Sequence, residues 1–190
     1  MIKLSGWILL ATLLCSACTT QPPVTVSAEE KLCRELSPTG CLSHLGIKNF
    51  SKLDRLAMLM SVGKWHLAQS QPEKARDYFG MLTQLDRYNG PAHRLLGDSF
   101  FAEALEDQRE PGALGKMMSE VYFAAAAASY TSSFEIDPKD TQAYLGAIRG
   151  FSQSGKCDLA KDILALYEKR FGDTADSVEA VDFINDKCAG

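Results

Sequence analysis

The chain has 190 residues, of which 46% are hydrophobic and 23% charged, and its formal net charge is −4. That length suits one domain, and that balance belongs to a chain able to bury a core, which excludes a disordered polymer. A mildly acidic body offers no basic patch to displace phosphate counterions, which argues against a nucleic-acid partner. β-Branched runs are few and strand alternation of useful length is absent, so an all-α fold is expected.

The N-terminus reads as an address. Lys3 supplies a positive charge, Gly6 to Leu14 is an apolar run, and the small residues Ser16 and Ala17 precede Cys18. These are the three parts of a secretory signal peptide, residues 1–17, and its apolar stretch falls short of the about 20 residues that a spanning helix needs. The Ser-Ala-Cys ending resembles the lipobox of bacterial lipoproteins, with Cys15 standing where that family prefers Leu. The resemblance implies lipidation of Cys18, and Thr19 in place of Asp implies the outer membrane, periplasmic side. The alternative is an ordinary cleavage after Ala17 that leaves a soluble periplasmic protein. Residues 18–27, rich in Pro, Thr and Ser, have the composition of a tether.

With Cys15 in the signal and Cys18 as lipid acceptor, Cys33, Cys41, Cys157 and Cys188 remain. An even set in an exported chain reads as disulfides, with three possible connectivities. Pairing Cys33 with Cys41 closes the turn-rich RELSPTG stretch after a short helix at Ala28 to Leu36, making residues 28–55 a helix and a disulfide loop. Pairing Cys157 with Cys188 follows from length. Cys157 opens one helix and Cys188 ends a terminal amphipathic one, and at about 1.5 Å per residue they measure roughly 20 and 17 Å. Antiparallel packing then brings the two ends together, and residues 175–190 become a cap. A zinc site using His44 is the rival reading, and neither a CxxC spacing among these four cysteines nor an HxxxH pair supports it.

Between these ends the elements follow in order. A helix is expected from Phe50 to Ser70, with Asn49 or Ser51 as its N-cap, then Pro72 to Leu85, Pro91 to Leu105 and Met117 to Ile136. Glu106 to Lys116, EDQREPGALGK, reads as a polar loop, suited to a function or to a tolerated insertion. Tyr144, Ala147, Ile148 and Phe151 write one helical face. A turn at Ser154-Gly155 follows, then a second face of Leu159, Ala160, Ile163, Leu164 and Tyr167.

One period runs through this region. Gly63 to Gly97 and Ala126 to Ala160 are each 34 residues apart, while Phe100 to Phe151, Ala75 to Ala126 and Phe79 to Tyr130 are each 51 apart. A 17-residue insertion between Phe100 and Ala126 reconciles the two spacings. Leu56 to Thr174 thereby resembles the tetratricopeptide repeat family, whose period is about 34 residues. Ala75, Ala126 and Ala160 match its small contact residue, Phe79, Tyr130 and Leu164 its large apolar one, and Pro138 its inter-repeat proline. The departures are His66 for an aromatic, Arg87 and Gly172 for Pro, and Ile148 for Gly.

The resemblance implies a short right-handed solenoid of about three helix-turn-helix repeats. It also implies a concave groove lined by the first helix of each repeat. Carried over by position, that groove shows Met60, Lys64 and Leu67, then Arg94, Asp98 and Phe101, then Leu145, Arg149 and Ser152. Three cations on an acidic protein suit an extended partner peptide with an acidic group or free C-terminus.

No GxSxG, HExxH or phosphate loop is present, so a non-enzymatic protein is expected, without cofactor or metal. His66 is expected as a core histidine. The resulting reading is a lipid-anchored adaptor for an envelope machine, with pilus or secretion assembly suggested by family analogy. The alternatives are a structural subunit of an obligate complex and a contact regulator of a cell-wall enzyme.

Overall fold

The computed structural model describes residues 27–189, so the signal segment, Cys18 and nearly all of the tether lie outside the described residues. Those residues form nine helices and no strand, which is the expected all-α class. In order they are α1 (Ala28–Glu35), α2 (Pro38–Ile47), α3 (Lys52–Ala68), α4 (Pro72–Leu85), α5 (Gly90–Asp107), α6 (Ala113–Ile136), α7 (Thr141–Gln153), α8 (Cys157–Phe171) and α9 (Ala175–Cys188). No helix among the described residues is long and apolar enough to cross a membrane.

Short polar side chains start most of these helices. Ser51 Oγ accepts the Asp54 N–H at 3.1 Å, Asn89 Oδ1 that of Ala92 at 3.1 Å, and Asp140 Oδ1 that of Ala143 at 3.2 Å. Each satisfies a first-turn donor that no helical carbonyl can reach. Thr174 and Ser177 exchange such bonds reciprocally at the start of α9, at 3.1 and 2.9 Å.

Two stretches differ from the sequence expectation. The supposed disulfide loop is a corner between two helices: Ser37 caps α2, Pro38 opens it, and Cys41 lies inside it. Ser-Pro-Thr-Gly serves a helix start as well as a turn, because Pro at the first helical position gives up an N–H that would be unpaired anyway. The polar stretch at Glu106 to Lys116 is largely absorbed as well. α5 runs on to Asp107 and α6 begins at Ala113, leaving a turn of five residues in which Gly112 takes φ +115°. The stretch therefore lengthens a hairpin instead of forming a long loop, α6 reaching 24 residues.

Consecutive helices pack on one another, the close connections forcing antiparallel pairs. The odd-numbered helices α3, α5, α7 and α9 also touch in series. In the pair α3–α4 the face of Gly63 meets the Phe79 ring, a Cβ there falling 2.7 Å from Cε1. In α5–α6 the same arrangement recurs between Gly97 and Tyr130, at 2.8 Å. Tyr144 anchors the C-terminal core, stacked on Phe134 with centroids 4.1 Å apart and met edge-on by Tyr167 and Phe171. Each such aromatic pair contributes about 0.5–1.5 kcal/mol beyond its buried area.

Both ends are fastened. Cys33 and Cys41 are disulfide-bonded, as are Cys157 and Cys188, which are the pairings expected from sequence. The Tyr78 hydroxyl reaches from α4 to the carbonyls of Cys33 and, at 2.7 Å, Leu36, which ties the α1–α2 corner to the body. Burial pushes the Tyr78 phenol up to about 12, so this tether keeps its proton through neutral pH.

Candidate functional site

Three of the helices meet around a recess of about 150 Å³ lined by Arg94, Asp98 and Phe101 of α5, Tyr130 of α6, and Gln142, Gly146 and Arg149 of α7. The α5 and α7 trios are each spaced i, i+4, i+7, one row on a helix. The recess owes its shape to two glycines. A Cβ on Gly97 would lie 2.8 Å from the Tyr130 ring and one on Gly146 2.7 Å from it, so the ring sits between two bare backbones. Its hydroxyl then emerges at the recess and donates to Asp98 Oδ1 at 2.7 Å.

The charges here are already matched. Arg94 stands 3.7 Å from Asp98 and 3.3 Å from Asp140, and Arg149 reaches Glu179 of α9 at 2.6 Å. Burial raises the Asp98 carboxyl above the usual carboxylate range, opposed by the Tyr130 hydrogen bond and by Arg94, with Asp140 adding to the rise. Burial likewise pushes the Tyr130 phenol far up, helped by the Asp98 charge, so it keeps the proton that it donates to Asp98.

Of the nine groove residues expected from sequence, the structure brings Arg94, Asp98, Phe101 and Arg149 to this recess. Two are corrections. Leu145 is 7% exposed within the core around Tyr144, and Ser152 is 2% exposed with its hydroxyl donating to Ile148 O at 2.9 Å. Neither presents a surface. Met60, Lys64 and Leu67 lie on α3 and do not line the recess, Met60 packing instead against the core around Tyr78.

A constant offset of 51 residues maps the α5 row onto 145, 149 and 152. A recess between two helices is instead walled by the flank of each that faces the other, which on α7 is 142, 146 and 149. Tyr130, Gln142 and Gly146 were missed for that reason. The second row at Gln142, Gly146 and Arg149 was visible in the sequence as the same spacing.

Two of the three histidines have one ring nitrogen hydrogen-bonded locally, and the other ring nitrogen of His66, Nε2, is buried without a partner. His66 is buried between Trp65 and Tyr78 with Nδ1 2.8 Å from Gln71 Oε1, and His93 Nε2 donates to Arg87 O at 3.1 Å. The four cysteines among the described residues are taken up in S–S bonds, and no group of three His, Cys, Asp or Glu there is placed to hold a metal.

A second, acidic recess of about 290 Å³ opens where α4, α5 and α6 meet, lined by Glu73, Arg76, Glu103, Glu106, Asp107, Met118 and Tyr122. Glu103 is 7% exposed; Oε2 lies 2.5 Å from Arg76 Nη1, while Oε1 is buried without a hydrogen-bond partner. Burial pushes its carboxyl up to about 7, against the pull of Arg76 and with the help of Glu73, Asp77 and Asp107. Since an unfolded Glu titrates near about 4.3, the folded chain holds a proton that the unfolded one has released across that interval. Stability from this group is thus full below the unfolded value and falls as pH rises to about 7. The thermal midpoint of the native chain, referred to that of Glu103→Gln, is expected to drop between pH 4.5 and 7.5 by circular dichroism. A pH-independent difference would contradict it.

No protein-family model, curated protein or solved structure matches the chain.

Proposed function

We propose that this chain is a non-enzymatic adaptor that holds a protein partner against the face formed by α5 and α7. In this reading it is built as a short right-handed solenoid of tetratricopeptide-like pairs, α3–α4, α5–α6 and α7–α8. The α1–α2 corner precedes them, α9 caps them, and a lipid on Cys18 holds the whole at the periplasmic side of the outer membrane. Supporting the repeat reading, glycine-on-aromatic contacts recur at Gly63–Phe79 and Gly97–Tyr130. The odd-numbered helices touch in series, whereas α4, α6 and α8 do not approach one another as closely, a splay that makes the odd face the inner one.

The observation that carries the binding reading is the α5–α7 recess, a walled polar slot with Phe101 at its edge. Its arginines are paired, so an incoming carboxylate has to exchange with an existing one. Arg149–Glu179, with side chains 43% and 69% exposed, is the pair that gives way at least cost, since exposed ion pairs contribute about 0–1 kcal/mol. A partner segment with one acidic group and an apolar neighbour for Phe101 fits. Assembly of a pilus or secretion machine is the setting that family analogy suggests.

Gln142 is exposed at the rim of the recess, so Gln142→Glu sets a carboxylate in the slot that competes with the partner's own for the arginines and leaves the core untouched. Purified from crosslinked membranes of its own host, the native chain is expected to carry a discrete partner and Gln142→Glu to lose at least nine-tenths of it. Equal recovery would remove the recess from the account. An intact mass for residues 18–190 plus acyl chains would establish the anchor, and the unlipidated mass would remove it.

A further inference from the structure

The lengthened α5–α6 hairpin is not used by the recess just described. α6 has 24 residues, roughly 36 Å, against 14 for α4 and 13 for α7, so its first turns outrun those two and are flanked by the end of α5, Gly115 lying against Asp107 O. There Leu114, Met117 and Val121 stand i, i+3, i+7 and are 67%, 55% and 55% exposed. Ser119 and Phe123, on the opposite side of the same helix, are buried. This segment is therefore apolar outward as well as inward, and an outward stripe on a projecting helix marks a contact surface.

Beside the stripe, one row round the helix, Met118 and Tyr122 form a wall of the acidic recess. That recess gathers four carboxylates around a single guanidinium, and Glu103 within it has a buried oxygen without a partner. Apolar stripe and acidic slot together are complementary to one kind of object, a helix with an apolar face flanked by Lys or Arg. A second copy of this chain would set Glu106 and Glu120 against like charges. A bilayer leaflet, anionic at its surface, would repel the same groups.

We infer that the projecting α5–α6 hairpin is a second docking surface, which takes a basic amphipathic helix from a partner protein. Its apolar face lies on Leu114, Met117 and Val121, and one cationic side chain enters the slot beside Glu103. This surface is separate from the α5–α7 face and would persist if that face bound nothing.

The test uses the full chain in zwitterionic nanodiscs, empty discs being the blank, and a labelled 18-residue Leu/Lys helical peptide read by fluorescence anisotropy. The Leu/Lys peptide is expected to bind at least tenfold more tightly than its Leu/Glu counterpart. Leu114→Ser/Val121→Ser, changes at exposed positions, is expected to weaken it at least tenfold, as is Glu103→Gln/Glu106→Gln. Glu106→Gln alone, also at an exposed position, is expected to weaken it several-fold. Asp162→Asn/Asp182→Asn, the same charge change on α8 and α9, is expected to leave it unchanged. Equal binding of the two peptides, indifference to the serine pair, or an equal loss with the Asp162/Asp182 pair would each overturn the proposal. So would a dimer that the serine pair dissolves, since the occupant would then be a second copy. Stripe-dependent binding to anionic vesicles would identify a membrane instead.

Discussion

Gly97→Ala is expected to destabilise the protein by about 1–3 kcal/mol, although alanine is the better helix former by about 0.8–1 kcal/mol. The added methyl would fall 2.8 Å from Cδ1 and Cε1 of Tyr130, and the ring has little room to retreat because the Gly146 backbone backs its other side, where a Cβ would lie 2.7 Å from it. Nor can it rotate freely, since its hydroxyl is bound to Asp98. The discriminating comparison is a double-mutant cycle in urea. In a Tyr130→Ala background, which itself removes about 3–5 kcal/mol, the same Gly97→Ala change is expected to be neutral or stabilising. A stabilising Gly97→Ala in the native background would show that the two helices do not approach as closely as described. The recess between α5 and α7 depends on the same approach, so the cycle probes fold and site together.

Removing the C-terminal bridge has the second large effect. Cys157 and Cys188 are 31 residues apart, against eight for Cys33 and Cys41. On the chain-entropy account the longer loop contributes about 3–4 kcal/mol and the shorter about 2–3 kcal/mol. Besides the bridge, α9 is held by three buried residues, Ser177, Ala180 and Ile184, and by the exposed Arg149–Glu179 pair, while Val178 and Val181 remain 60% and 38% exposed. Cys157→Ser/Cys188→Ser is therefore expected to release α9. Limited proteolysis should cut first in the Gly172–Thr174 connection, before any site within α3 to α8. Loss of α9 also frees Arg149 from Glu179, so the variant is expected to bind acidic peptides more readily than the native chain. Unchanged protease resistance would mean that packing alone secures the cap.

Much of this architecture was legible in the sequence, and the reasons are specific. Pro72 and Leu85 bound α4 because proline suits a first turn and the apolar period stops at Leu85. The Cys157–Cys188 pairing could be read because two helices of similar length, each with a cysteine at one end, close only when antiparallel. The failures are equally local. Ser37-Pro38-Thr39-Gly40 has turn composition and helix-start composition at once, and only the packing of Cys41 and Leu45 decides in favour of α2. Glu106 to Lys116 is polar with two glycines and a proline, yet flanking helices extend into it because adding a residue to an existing helix is far easier than starting one. Gln142 and Gly146 of the α5–α7 site were missed because a repeat offset carries residues to equivalent positions, whereas a recess between two helices takes opposite flanks.

Site-specific photocrosslinking in the native host tests the adaptor account most directly. A crosslinking amino acid in place of Gln142 places the probe in the α5–α7 recess, and one in place of Glu135, exposed at the far end of α6, serves as reference. The account predicts a discrete protein adduct from position 142, none from position 135, and competition by a peptide carrying one acidic group. Adducts equally abundant from both positions, or none from 142 while the chain is folded and in place, would contradict it.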